Sequence, residues 1–135
     1  MRVFSHYSVR TLSNTYLVGF PSGEAILIDP SVFDGELLNL IEGHRYELCS
    51  VLLTHNEEKH LAGLRTLPRV YGKVQIFSAL PRVMNLATRL VTDGETLKLC
   101  DHEISVIALP GHGRDRVAYL LGGFLFCGPA FSAGE

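Results

Sequence analysis

The chain has 135 residues, of which 47% are apolar and 19% charged, and a formal charge of −2. That length suits one domain, residues 1–135, with a real core, and the apolar share excludes a disordered chain. No basic block offers a nucleic-acid surface, no apolar run is long enough to span a bilayer, and the first residues do not open a signal peptide, so the expected location is the cytoplasm. Residues 1–9 and 15–20 read as strands around a turn at Leu12-Ser13-Asn14, and residues 24–29 form the next strand after Pro21-Ser22-Gly23. These three strands make an antiparallel meander. Asp34 is placed to cap a helix with Leu37, Leu38, Leu40 and Ile41 on its apolar face, ending at Gly43 or His44. A strand over 46–53 follows, then a helix from Glu57 or Glu58 to Thr66, stopped by Pro68. A short strand over 74–77 precedes a helix begun by Pro81 and carrying Val83, Leu86 and Leu90.

The last third changes character. Strands over 96–99 and 104–109 flank a turn at Cys100-Asp101-His102-Glu103. Residues 117–121 and 124–127 form a hairpin about Gly122-Gly123. The order β-β-β-α-β-α-β-α-β-β-β-β mixes helices with meanders and predicts a layered α/β or α+β sandwich. The three cysteines, Cys49, Cys100 and Cys127, are widely spaced and lie in or beside apolar segments, which predicts reduced, mostly buried thiols.

Two loops carry candidate chemistry. In Val51-Leu52-Leu53-Thr54-His55-Asn56-Glu57-Glu58-Lys59-His60, an apolar strand runs into a cluster of metal-capable side chains. The same residues also suit a solvated helix start, with Thr54 as N-cap and acidic residues in the first turn. The second loop is Leu109-Pro110-Gly111-His112-Gly113, where glycines let backbone approach a ligand closely. Strand-end histidines at His55 and His112 are able to converge across one end of a sandwich. Asp29 reads as a hydrogen-bond acceptor behind such a site. His6, His44 and His102 read as surface or capping residues, and Arg114-Asp115-Arg116 as a solvated charge cluster.

Taken together, the anchors resemble the metallo-β-lactamase fold superfamily, with the glyoxalase II-like thioester hydrolases closest in style. Asn14-Thr15-Tyr16-Leu17-Val18 is similar to its second strand, and Leu27-Ile28-Asp29-Pro30 to its "LIDPG" turn, with Ser31 in place of glycine. Thr54-His55 leads into the H-x-H-x-D-H position, Pro110-Gly111-His112 resembles the "PGH" loop, and Phe126-Cys127-Gly128-Pro129 resembles the "FTGD" strand end. The resemblance implies an αββα sandwich of mixed, mostly antiparallel sheets, C-terminally truncated. The departures are chemical. Glu57 stands for the second histidine, Lys59 for the aspartate and Pro129 for the bridging aspartate, and Glu135 comes before the family's final histidine.

The resemblance leaves His55, Glu57 and His112 as a ligand set for one ion at most, zinc first, with iron or manganese not excluded. Glu58 or His60 would then be the catalytic base for a metal-bound water. Two functions are expected: a degenerate member acting through binding or assembly, or a mononuclear metal-dependent hydrolase of a small ester, thioester or lactam-like bond. Homodimerisation, to cover a bared sheet edge, is the expected association.

Overall fold

The computed structural model describes residues 1–109, Gly111 and residues 115–128. Strands β1 (Arg2–Ser8), β2 (Ser13–Gly19) and β3 (Glu24–Ile28) form the predicted antiparallel meander. Helix α1 (Gly35–Gly43) follows, capped by Asp34, whose Oδ1 accepts a hydrogen bond from the Leu37 N–H at 2.9 Å. The chain then enters β4 (Glu47–Leu52), parallel to β3, and later β5 (Gln75–Ser78), parallel to β4. Strands β3 and β4 are central. Residues 25–28 and 50–52 are buried on both faces, as expected for parallel strands covered on two sides.

Between β4 and β5 the predicted helix does not form. The segment makes two 3-10 turns, Glu58–His60 and Ala62–Arg65, broken at Leu61, whose φ of −135° is not helical. The break brings Gly63 against the turn after β3, where its N–H donates to Pro30 O at 3.0 Å. A Cβ at Gly63 would lie 2.6 Å from that oxygen, so only glycine admits the approach. Leu61 and Leu64 are still buried, so their spacing reports a core face without a continuous helix. Pro68 does not stop a helix but sits in the first turn of a short one, α2 (Leu67–Val70), where its missing N–H costs nothing.

The helix predicted from Pro81 is also absent. Its residues form a ribbon of β6 (Arg82–Val83) and β7 (Leu86–Ala87), then β8 (Arg89–Leu90), which adds parallel to β5. Met84 and Asn85 have φ of 51° and 65°, the left-handed pair of a tight hairpin turn. Thr88 completes the reversal by donating its N–H to Pro81 O and its hydroxyl to Leu80 O. Of the supposed apolar helical face, Val83 is buried, but Leu90 is exposed.

The second sheet is a meander of β9 (Thr96–Leu99), β10 (His102–Ala108), β11 (Val117–Leu121) and β12 (Phe124–Phe126). Its hairpins use left-handed pairs at Cys100-Asp101 and Gly122-Gly123. The six-stranded sheet β1-β2-β3-β4-β5-β8 packs one face on this four-stranded sheet and the other on α1 and the turns after β4. Ile26, Ile28 and Leu52 meet Ile104, Val106 and Tyr119 between the sheets, while Leu27, Val51 and Leu53 meet Leu37, Ile41 and Leu64 outside. One irregularity interrupts β4. Ala25 pairs with Leu48 and Ile26 with Ser50, which makes Cys49 the extra residue of a bulge. None of the described helices is long and apolar enough to cross a membrane.

Candidate functional site at the strand ends

The carboxyl ends of β3 and β4 meet the start of β11 and the end of β12 at one edge of the interface. Asp29 leaves β3 with a left-handed φ of 51° that turns its carboxylate toward β4. Its Oδ1 accepts the Thr54 N–H at 2.8 Å and its Oδ2 the Thr54 hydroxyl at 2.5 Å. Thr54 is thus not a helix cap; it is fixed on Asp29. The Asp29 carbonyl accepts the Thr15 hydroxyl at 3.0 Å, and Thr54 O accepts the Val117 N–H at 3.0 Å. Gly128 closes the group with φ of 71°. A Cβ there would fall 2.2 Å from Thr54 Oγ1 and 3.1 Å from Asp29 Oδ2. Burial pushes the Asp29 carboxyl up to about 6, against the lowering pull of the Thr54 hydrogen bonds and Arg116.

His55 is 2% exposed and has Nε2 4.0 Å from Asp29 Oδ2. Its Nδ1 accepts the Glu57 N–H at 3.0 Å. In the neutral imidazole this leaves the proton on Nε2, the nitrogen facing Asp29. Burial, reinforced by Arg116 and His60, holds the ring neutral and lowers its pKa to about 3. His60 stands edge-on to it, with ring centroids 6.4 Å apart, and its Nδ1 is 3.1 Å from Ser13 Oγ.

The structure therefore brings His55 and His60 together beside Asp29. Glu57 and Glu58 are exposed, as is Lys59, and Glu58 Oε1 is 3.9 Å from Arg65 Nη2. Glu57 reaches His55 through its backbone. His112, Pro110, Arg114 and Pro129 lie outside the described residues. Arg116 corrects the solvated-cluster expectation. It is 7% exposed, donates to Cys127 O at 3.4 Å, and acts electrostatically on both Asp29 and His55. Its place directly before the apolar strand at Val117 is the only trace of this in the sequence. His44 does cap, with Nδ1 2.8 Å from Leu40 O, whereas His6, on β1, binds the capping residue itself, its Nε2 3.1 Å from Asp34 Oδ2.

These residues fit a resident metal only in part. Ligation through His55 Nε2 requires its proton to move to Nδ1 and the Glu57 N–H bond to be given up. Among the described residues, no three metal-capable side chains converge at His55; the set that does converge, Glu24, Cys49 and Cys100, lies at the other end of β3 and β4.

The layered sheets, with the Asp29–Thr54 turn and the histidine loop after β4 at one edge, have the metallo-β-lactamase fold. It is similar to the hydroxyacylglutathione hydrolase of Buchnera aphidicola subsp. Schizaphis graminum, 33% identical over 109 residues, or 81% of this chain and 43% of the relative. The ETHE1 structure from Myxococcus xanthus superimposes with a TM-score of 0.79 at 24% identity, over 93% of this chain and 56% of that one. The BLEG-1 B3 metallo-β-lactamase does so at 0.76 and 17%, over 89% and 67%. No family model matches. The chain spans about half the length of the curated relatives it matches, 43% and 50%.

Proposed function

We propose that this chain is a degenerate metallo-β-lactamase-fold protein that works through binding or assembly and does not carry a complete two-metal site. The observation that carries this reading is the Glu57 N–H bound to His55 Nδ1 at 3.0 Å, which leaves the proton where a ligand lone pair is needed. The exposed Glu57 and Lys59 support it, since they stand where the resemblance places a histidine and an aspartate. Binding has a surface to work with. The cavity beside His60, about 490 Å³, carries Arg10, Lys59 and Arg65 against Glu58, a lining that suits an anionic small molecule. Assembly has one too. Ile107, Leu120 and Leu125 share the outer face of the second sheet and are 37%, 40% and 54% exposed, which supports a homodimer.

The second reading is a mononuclear metal-dependent hydrolase with His55, Glu57 and His112 as ligands and Glu58 or His60 as base. What favours it is the name of the relatives, hydroxyacylglutathione hydrolases. Turnover of a hydroxyacylglutathione thioester by chelator-free protein, with added zinc, decides between them. Under the binding reading the rate equals that of zinc in buffer, and His55→Ala changes nothing. Saturable turnover that disappears in His55→Ala would establish the hydrolase.

A further inference from the structure

The opposite end of the two-sheet interface gathers three side chains that the histidine loop does not involve. Glu24 opens β3, Cys49 is the extra residue of the β4 bulge, and Cys100 begins the β9–β10 turn. One ligand atom from each lies within 4.8 Å of the others, and all three residues are half-buried. Cys49 Sγ is 3.0 Å from Cys100 Sγ and donates to Ala25 O at 3.3 Å.

Both cysteines are aimed by backbone irregularity. In a regular β4, Leu48 and Val51 would point to opposite faces; the bulge lets both pack outside and turns Cys49 inward, toward the second sheet. Cys100 has φ of 54°, in a turn position that suits asparagine or glycine and strains other residues. Neither placement follows from burying a small hydrophobe. The group faces an open cavity of about 570 Å³, lined also by Lys98, Asp101, His102 and Glu103.

We propose that Glu24, Cys49 and Cys100 bind a thiophilic divalent cation of the zinc class, tying the first sheet to the β9–β10 turn. Two sulfurs and a carboxylate oxygen supply three of four tetrahedral ligands, and the cavity leaves the fourth to water or an added ligand. Zn–S bonds of about 2.3 Å put tetrahedral sulfurs about 3.8 Å apart, so the pair at 3.0 Å has to open by less than an ångström. The third ligand, Glu24, distinguishes this arrangement from a simple thiol pair. A dication offsets two of the three negative charges of the carboxylate and the two thiolates formed as it displaces their protons, and Lys98 in the cavity lining faces the one that remains.

Cobalt(II) titration of the full chain, reduced and freed of reductant without air, tests the site. We expect one equivalent bound with sulfur-to-cobalt charge-transfer and tetrahedral visible bands, both displaced by zinc. Cys49→Ser and Cys100→Asn each remove one of two Co–S bonds and should at least halve the charge-transfer band, and the double variant should abolish it. The second is the cleaner variant, because asparagine accepts the left-handed backbone and the fold is retained; an unchanged melting temperature checks this. Glu24→Gln should keep the band but weaken affinity by at least the roughly tenfold that loss of an outer-shell partner costs. His55→Ala should change nothing, which separates this site from the histidine loop. Absence of the band in folded, reduced protein at excess cobalt overturns the proposal, as does a band that keeps its full intensity in Cys100→Asn. Ready loss of two thiols and two hydrogens in air, with no cobalt bound after reduction, also overturns it and makes the pair a redox cross-link.

Discussion

Substituting Gly128 with alanine tests whether the strand ends are held as described. Two costs add. Alanine at a φ of 71° is in the left-handed region, which costs an L-residue about 1–2 kcal/mol. Its Cβ would also fall 2.2 Å from Thr54 Oγ1, well inside contact distance. Relief requires the Thr54 hydroxyl to leave Asp29, and a hydrogen bond to a charged group is worth about 1.5–3 kcal/mol. The total is about 2.5–5 kcal/mol, a large part of a small domain's stability. Gly123→Ala is the control. Its φ of 86° imposes the same backbone strain, but nothing lies within 4 Å of the new Cβ. Urea unfolding with matched m values should therefore rank Gly128→Ala at least about 1.5 kcal/mol below Gly123→Ala. Equal losses in the two variants would refute the close approach of Gly128 to Thr54 and Asp29.

Other outcomes follow from the same contacts. Thr54→Val should cost about 1.5–3 kcal/mol by denaturant melts, and less when added to Gly128→Ala, because both act on one hydrogen bond. Asp34→Ala removes the α1 cap and the His6 contact and should cost about 0.5–2 kcal/mol, with loss of helical circular dichroism confined to one short helix. The pH dependence separates His55 from Asp29. His55 is depressed to about 3, so as pH falls below about 6.5 the unfolded state takes a proton the folded state refuses, and stability falls. Asp29 is raised to about 6, so between there and about 3.9 the folded state takes the proton first, and stability rises on acidification. The wild type should lose stability from pH 7 to pH 4, whereas His55→Gln should hold or gain; parallel pH profiles would show that His55 is not buried neutral.

The longer strands were legible because their burial alternates, or is continuous, over four or more residues, and because Asp34 and Gly122-Gly123 are strong local signals. The helices after β4 and after Pro81 were misread for one reason. Apolar residues three or four apart satisfy a helical period, yet the same spacing arises when a 3-10 break (Leu61) or a hairpin turn (Met84-Asn85) re-aims the chain. Met84 in a left-handed conformation has no local signal at all. At the site, Asp29, His55 and His60 were visible as strand-end polar residues in a family order. The burial of Arg116, the backbone role of Glu57 and the bulge at Cys49 were not. Each depends on which element packs opposite, a long-range fact that residue type and spacing do not encode.

The two sheets also differ in how soon they can form. The second, β9 to β12, pairs only neighbours in sequence, and so does the meander of β1 to β3. The contacts of Asp29, Thr54 and Gly128 bridge segments far apart in the chain and close only after those local units have docked. Weakening them should leave the folding rate nearly unchanged and fall almost wholly on the unfolding rate, so that each 1.4 kcal/mol lost shortens the native lifetime about tenfold. The strand-end cluster is in this sense a timer: it has little say in whether the chain finds its fold, and much in how long the fold survives an encounter with a protease.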